Sequence, residues 1–62
     1  MEKPVVKLIG EDGNIFNLLG ICTRALKRNK QEDLVPEMVE KVTSSNSYDE
    51  ALAALLDYVD VK

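Results

Sequence analysis

The stretch 5–28, VVKLIGEDGNIFNLLGICTRALKR, constrains this chain more than any other, because a β-favouring run, a glycine turn and a long helical apolar stripe follow one another directly. Val5, Val6 and Ile9 are β-branched, and Val6 and Leu8 fall on one side of an extended segment with Lys7 on the other. Residues 5–9 are therefore expected to form a strand. Gly10, Glu11, Asp12 and Gly13 are turn chemistry, in which glycine supplies a positive φ at little steric cost. Asp12-Gly13 could also close a β-hairpin running into Ile15 and Phe16, although the apolar positions beyond it have the helical period. Ile15, Leu18, Leu19, Cys22, Ala25 and Leu26 recur at spacings of three and four, which predicts a helix with one buried stripe, capped by Asn14. Gly20 inside that helix costs up to about 1 kcal/mol relative to alanine. Either a close backbone approach offsets the cost or the glycine sits on the solvent side.

Residues 1–4 are expected to fray. After the first helix, Asn29 is suited to a left-handed cap. A second helix over 33–43 would bury Leu34, Val35, Met38, Val39 and Val42, with either Asp33 as its cap or Pro36 as its first residue. Ser47-Tyr48-Asp49-Glu50 has the form of a capping box and is the most specific local signal in the chain. It opens a third stripe of Tyr48, Ala51, Leu52, Leu55, Leu56 and Val59. The closing run 58–62 alternates apolar and polar residues and is expected to pair beside 5–9. The fold class that follows is α+β and mainly helical: strand, three helices, and a short C-terminal strand pairing with the N-terminal one.

At 62 residues the chain has room for one small domain, residues 1–62, which buries only about 60% of the surface its unfolded form exposes. Its 45% hydrophobic and 31% charged content is that of a globular protein. Cys22 is the single cysteine and there is no histidine, so neither an internal disulfide nor a zinc site can be built, and no metal or cofactor is expected. No apolar run approaches the length of a membrane span and no leader pattern opens the chain, so the expectation is a cytoplasmic protein without a membrane partner. Catalysis is not expected, because no nucleophile stands beside a base in a recognisable motif and Cys22 lies on a buried stripe. The Gly-Glu-Asp-Gly-Asn turn lacks the lysine and spacing of a phosphate loop, and Glu11 and Asp12 would repel a phosphate.

Charge is uneven along the chain. Residues 1–30 hold six basic and three acidic side chains, whereas residues 31–62 hold two basic and eight acidic ones. Mutual attraction within the fold would account for this, and so would an acidic surface that meets a basic partner. Glu37 and Glu40 on the second helix with Asp49, Glu50 and Asp57 on the third are the candidate protein-binding residues, able to occupy a basic groove meant for nucleic acid. Phe16 and Ile21 flank the first stripe and belong either to an interface or to the core. Arg24, Lys27, Arg28 and Lys30 complement the helix dipole and are the alternative candidates, for nucleic-acid backbone contact. The third helix would be a poor recognition helix, since it carries Asp49, Glu50 and Asp57 and no cation. A self-associating module, such as a homodimer, is a third possibility that small size favours.

Val6-Lys7-Leu8-Ile9-Gly10, Asp12-Gly13-Asn14, Ala25-Leu26-Lys27, Ser47-Tyr48-Asp49 and Val59-Asp60-Val61 together resemble a family of very short uncharacterised proteins of bacteria, phages and mobile elements. The resemblance implies an accessory protein, of which an inhibitor of a host or defence nucleic-acid-handling enzyme is one form. It brings no functional residue with it.

Overall fold

The computed structural model describes residues 2–62. Its elements run β1 (Val5–Val6), α1 (Ile15–Arg28), a 3-10 turn (Glu32–Leu34), α2 (Val35–Thr43), α3 (Tyr48–Leu56) and β2 (Asp60–Val61). The two strands pair in parallel, Val5 with Asp60 and Val6 with Val61, so the fold is the mainly helical α+β arrangement that the sequence predicts. Parallel neighbours need a long crossover, and the three helices supply it.

β1 is shorter than the expected 5–9. The Leu8 carbonyl accepts the Glu11 amide at 3.2 Å, closing a turn in which Gly10 takes φ +88°, so the chain leaves the sheet before Ile9. A positive φ at the third position of a turn favours glycine, and Gly10 is used for that reason. Gly13 is not in the left-handed region, and no hairpin forms. Instead Asn14 caps α1, its side-chain oxygen accepting the Phe16 amide at 2.8 Å, while the Asp12 carboxylate accepts the Asn14 amide at 3.0 Å. Residues 2–4 are held rather than frayed: the Glu2 carbonyl accepts from Asn29, Lys3 Nζ donates to the Leu56 carbonyl, and the Pro4 carbonyl accepts the Asp60 amide. Met1 lies outside the described residues.

α1 ends differently from expectation. Asn29 has φ −90°, and the left-handed residue is Lys30, at φ +59°. The Gln31 amide reaches back to the Leu26 carbonyl at 2.8 Å and the Lys30 amide to Lys27 at 3.2 Å, the two bonds of a Schellman closure. The turn continues at once into the 3-10 segment, where the Leu34 amide meets the Gln31 carbonyl, so Asp33 lies inside that segment and caps nothing. Pro36 falls in the first turn of α2, where a missing amide costs no intrahelical bond. Gln31 is buried, and its side-chain oxygen accepts from Asn29 Nδ2 at 2.6 Å.

The core joins Leu18, Leu19, Cys22, Ala25 and Leu26 of α1 to Met38 and Val42 of α2 and Ala51 and Leu55 of α3, and Val6, Tyr58 and Val59 close it. Leu26, Cys22, Met38, Leu55 and Val59 lose essentially all contact with solvent. Leu56, expected in the third stripe, is instead 42% exposed, and Tyr58 takes a buried place. The reason is where α3 stops: Leu56 ends the helix and Asp57 caps it, so Tyr58 and Val59 turn inward on the way to β2. Gly20 is not a site of close approach, since an added Cβ would meet only Arg24 Nη1, at 3.8 Å.

Candidate functional site

The acidic residues of the second half do not form one uninterrupted face. α2 and α3 run back along each other, and Tyr58, just past the end of α3, donates its hydroxyl to the Glu37 carboxylate in the first turn of α2. One turn further along α2, Lys41 Nζ lies 5.4 Å from the Tyr58 ring centroid and 3.6 Å from the Asp57 carboxylate. Glu37 and Asp57 are thus engaged within the fold, with a cation between them. Burial pushes the Tyr58 hydroxyl above the ordinary tyrosine range, and the neighbouring Glu37 carboxylate adds to the shift. Tyr58, when ionised, holds Lys41 above its usual value, with Asp57 contributing.

Glu40, Asp49 and Glu50 are placed differently. All three are exposed, and none has an ion-pair partner among the described residues. The connection 44–47 is short, so Glu40 near the end of α2 and Asp49 and Glu50 in the first turn of α3 share the loop end of the helical hairpin. Asp49 and Glu50 also face the positive end of the α3 dipole, which gives them a part in stability. The Ser47 hydroxyl accepts the Glu50 amide at 3.1 Å, the first half of the capping box. The reciprocal bond from the Ser47 amide to the Glu50 side chain is not made among the described residues, which leaves that carboxylate in solvent.

Arg24, Lys27, Arg28 and Lys30 are all exposed, and no carboxylate pairs with any of them among the described residues. The structure brings these four to the C-terminal end of α1, on an element that packs against both α2 and α3.

A third feature was not apparent from sequence. The early turn at 8–11 and the early stop of α3 leave an apolar groove of about 380 Å³, lined by Leu8, Ile9, Tyr48, Leu52, Leu56 and Val61 among others. Ile9 is 73% exposed at the tip of its turn, and Leu56 and Val61 are each 42% exposed. Tyr48 forms part of the wall and donates its hydroxyl to the Gly13 carbonyl at 2.6 Å, tying α3 to the turn before α1. Phe16 is 69% exposed on the first turn of α1, so it is not core, whereas Ile21 packs against the core. The alternation at 58–62 signalled a strand, but nothing in it signalled that Val61 would border a groove.

Cys22 is fully buried, and burial pushes its thiol up to about 11, so it stays protonated at neutral pH. Among the described residues no group of three or more acidic or cysteine side chains is placed to hold a metal ion, and no helix is long and apolar enough to cross a membrane. Comparison with known proteins gives no match: no family model, no curated protein sequence and no solved structure resembles the chain closely enough to align.

Proposed function

We propose that this protein acts by binding another protein, without chemistry of its own, through the acidic loop end of the α2–α3 hairpin. The observation that carries the reading is that Glu40, Asp49 and Glu50 are exposed with no ion-pair partner among the described residues, while Glu37 and Asp57 are engaged by Tyr58 and Lys41. A partner with a basic groove would gain electrostatic steering from such a surface. The sequence resemblance supplies a setting, that of a cytoplasmic phage or mobile-element accessory protein, with a host or defence nucleic-acid-handling enzyme as the inhibited partner. The test is capture on the tagged protein from nuclease-treated lysate of the organism that encodes it, beside a Glu40→Gln/Asp49→Asn/Glu50→Gln variant shown by circular dichroism to be folded. A stoichiometric protein retained by the wild type and lost from the variant is the expected result. Equal retention by both would overturn the reading.

A second reading, nucleic-acid binding by the end of α1, is favoured by Arg24, Lys27, Arg28 and Lys30, four exposed cations with no ion-pair partner among the described residues. Such contacts are to phosphate and lose affinity steeply with salt. Fluorescence anisotropy with labelled duplex and single-stranded DNA at low salt decides it. Binding that Arg24→Glu/Arg28→Glu abolishes supports this reading, and no binding at low salt removes it.

A further inference from the structure

We propose that two copies of this protein associate through the outer edge of β2, pairing antiparallel about a two-fold axis at Val61. This does not rest on the reading above. Asp60 and Lys62 donate their amides to the Pro4 and Val6 carbonyls at 3.0 and 2.8 Å. Backbone polar groups alternate sides along a strand, so the intervening Val61 turns its own amide and carbonyl the other way, to the edge that β1 does not occupy. No hydrogen bond among the described residues reaches them there. An edge with both groups of one residue free is what a hydrogen-bonded antiparallel pair requires of each partner, so Val61 of one copy can exchange two bonds with Val61 of the other.

The neighbours of Val61 make this pairing self-complementary. When Val61 lies on the axis, Asp60 of each copy stands directly opposite Lys62 of the other, in the close non-hydrogen-bonded position. Both side chains are exposed and neither is in an ion pair among the described residues. Opposite charges directly across a strand pair are favourable, and two such pairs form at once. A two-fold axis normal to the sheet also keeps the helical layer on the same side in both copies, so the apolar grooves come side by side. Val61, 42% exposed in the wall of the groove, meets its counterpart across the axis and loses water there. A small domain that buries little apolar surface alone gains from such coverage.

The experiment is sedimentation equilibrium of the purified protein from micromolar to near-millimolar concentration, with charge-swap variants. The wild type is expected to move from the monomer mass to twice that mass. Asp60→Lys sets lysine against lysine across the axis and Lys62→Asp sets aspartate against aspartate, so each alone is expected to weaken association about tenfold. Mixing these two variants places opposite charges across the axis again, and a heterodimer is expected. The double swap, Asp60→Lys/Lys62→Asp, is expected to restore the homodimer. In the wild type alone, the Val61 amide resonance is expected to shift with concentration, a readout that no variant's folding can disturb. A wild type that stays monomeric throughout would overturn the proposal and leave Asp60 and Lys62 as charges that guard an edge against pairing. Dimerisation undiminished in both single variants, or a mixture that does not associate, would overturn it too.

Discussion

Lys30 holds a backbone conformation that glycine holds more cheaply. Its φ of +59° follows from the Schellman closure of α1, which needs a left-handed residue one position beyond Asn29. For a residue with a Cβ that conformation costs about 1 kcal/mol. Lys30→Gly is therefore expected to stabilise the fold by up to about 1 kcal/mol, or several degrees in Tm, read by thermal circular dichroism. Asparagine tolerates the left-handed region better than most residues, which made Asn29 the natural choice from sequence. The register of the closing bonds is set by which carbonyls Gln31 can reach once its side chain is buried, and that is a tertiary matter. Cys22 gives a pH-dependent prediction. Its thiol titrates at about 11 in the folded protein against 9.0 ordinarily, so the unfolded chain loses this proton first. Stability from this group is complete below the ordinary value and is lost as pH rises through the folded one. Urea melts at successive alkaline pH values are expected to show stability falling across that window, with a shallower fall in Cys22→Ala. Tyr58, also shifted upward, contributes a loss of the same sign at the upper end, and the comparison between the two proteins separates them.

The helices are set mainly by local rules. The apolar spacing of α1, its Asn14 cap and its basic last turn agree with one another, and α1 forms over Ile15–Arg28 as the pattern predicts. Gly20 is the one element-level inconsistency, and no packing reason compensates for it. An alanine Cβ there meets Arg24 Nη1 at an ordinary 3.8 Å, so Gly20→Ala is expected to raise stability by about 0.5–1 kcal/mol in chemical denaturation. Unchanged or lower stability would mean that an added Cβ at Gly20 is less well accommodated than the 3.8 Å approach implies. At the start of α3, Ser47 makes its half of the capping box and Glu50 does not, so Ser47→Ala is expected to cost about 1 kcal/mol. Glu50→Gln should cost only the smaller dipole contribution. Thermal melts of the two variants side by side distinguish these sizes.

For the whole molecule, three helices on a two-residue parallel pair make a small core in which Leu26 and Leu55 are wholly buried. Leu26→Ala is expected to cost about 2–5 kcal/mol. A domain of this length has a total stability of only about 3–9 kcal/mol, so the variant is expected to lose about half of it, seen as a lower urea midpoint. The helical stripes and the β-favouring character of both ends follow from the sequence because apolar periodicity, caps and β-branched residues act over short distances. The split of the chain into a basic and an acidic half was equally plain. What each charge does was not: Glu37 and Glu40 are three residues apart on the same helix, yet only Glu37 meets Tyr58, which comes from beyond the end of α3. Periodicity, caps and turn residues were enough to place the three helices and the order of strands and helices. Which carboxylates stay in solvent, the exclusion of Leu56 from the core while Tyr58 enters it, and the groove beside Val61 came from packing between elements. The physical reason is that these outcomes depend on where one element stops against another, and local propensity carries no information about that distance.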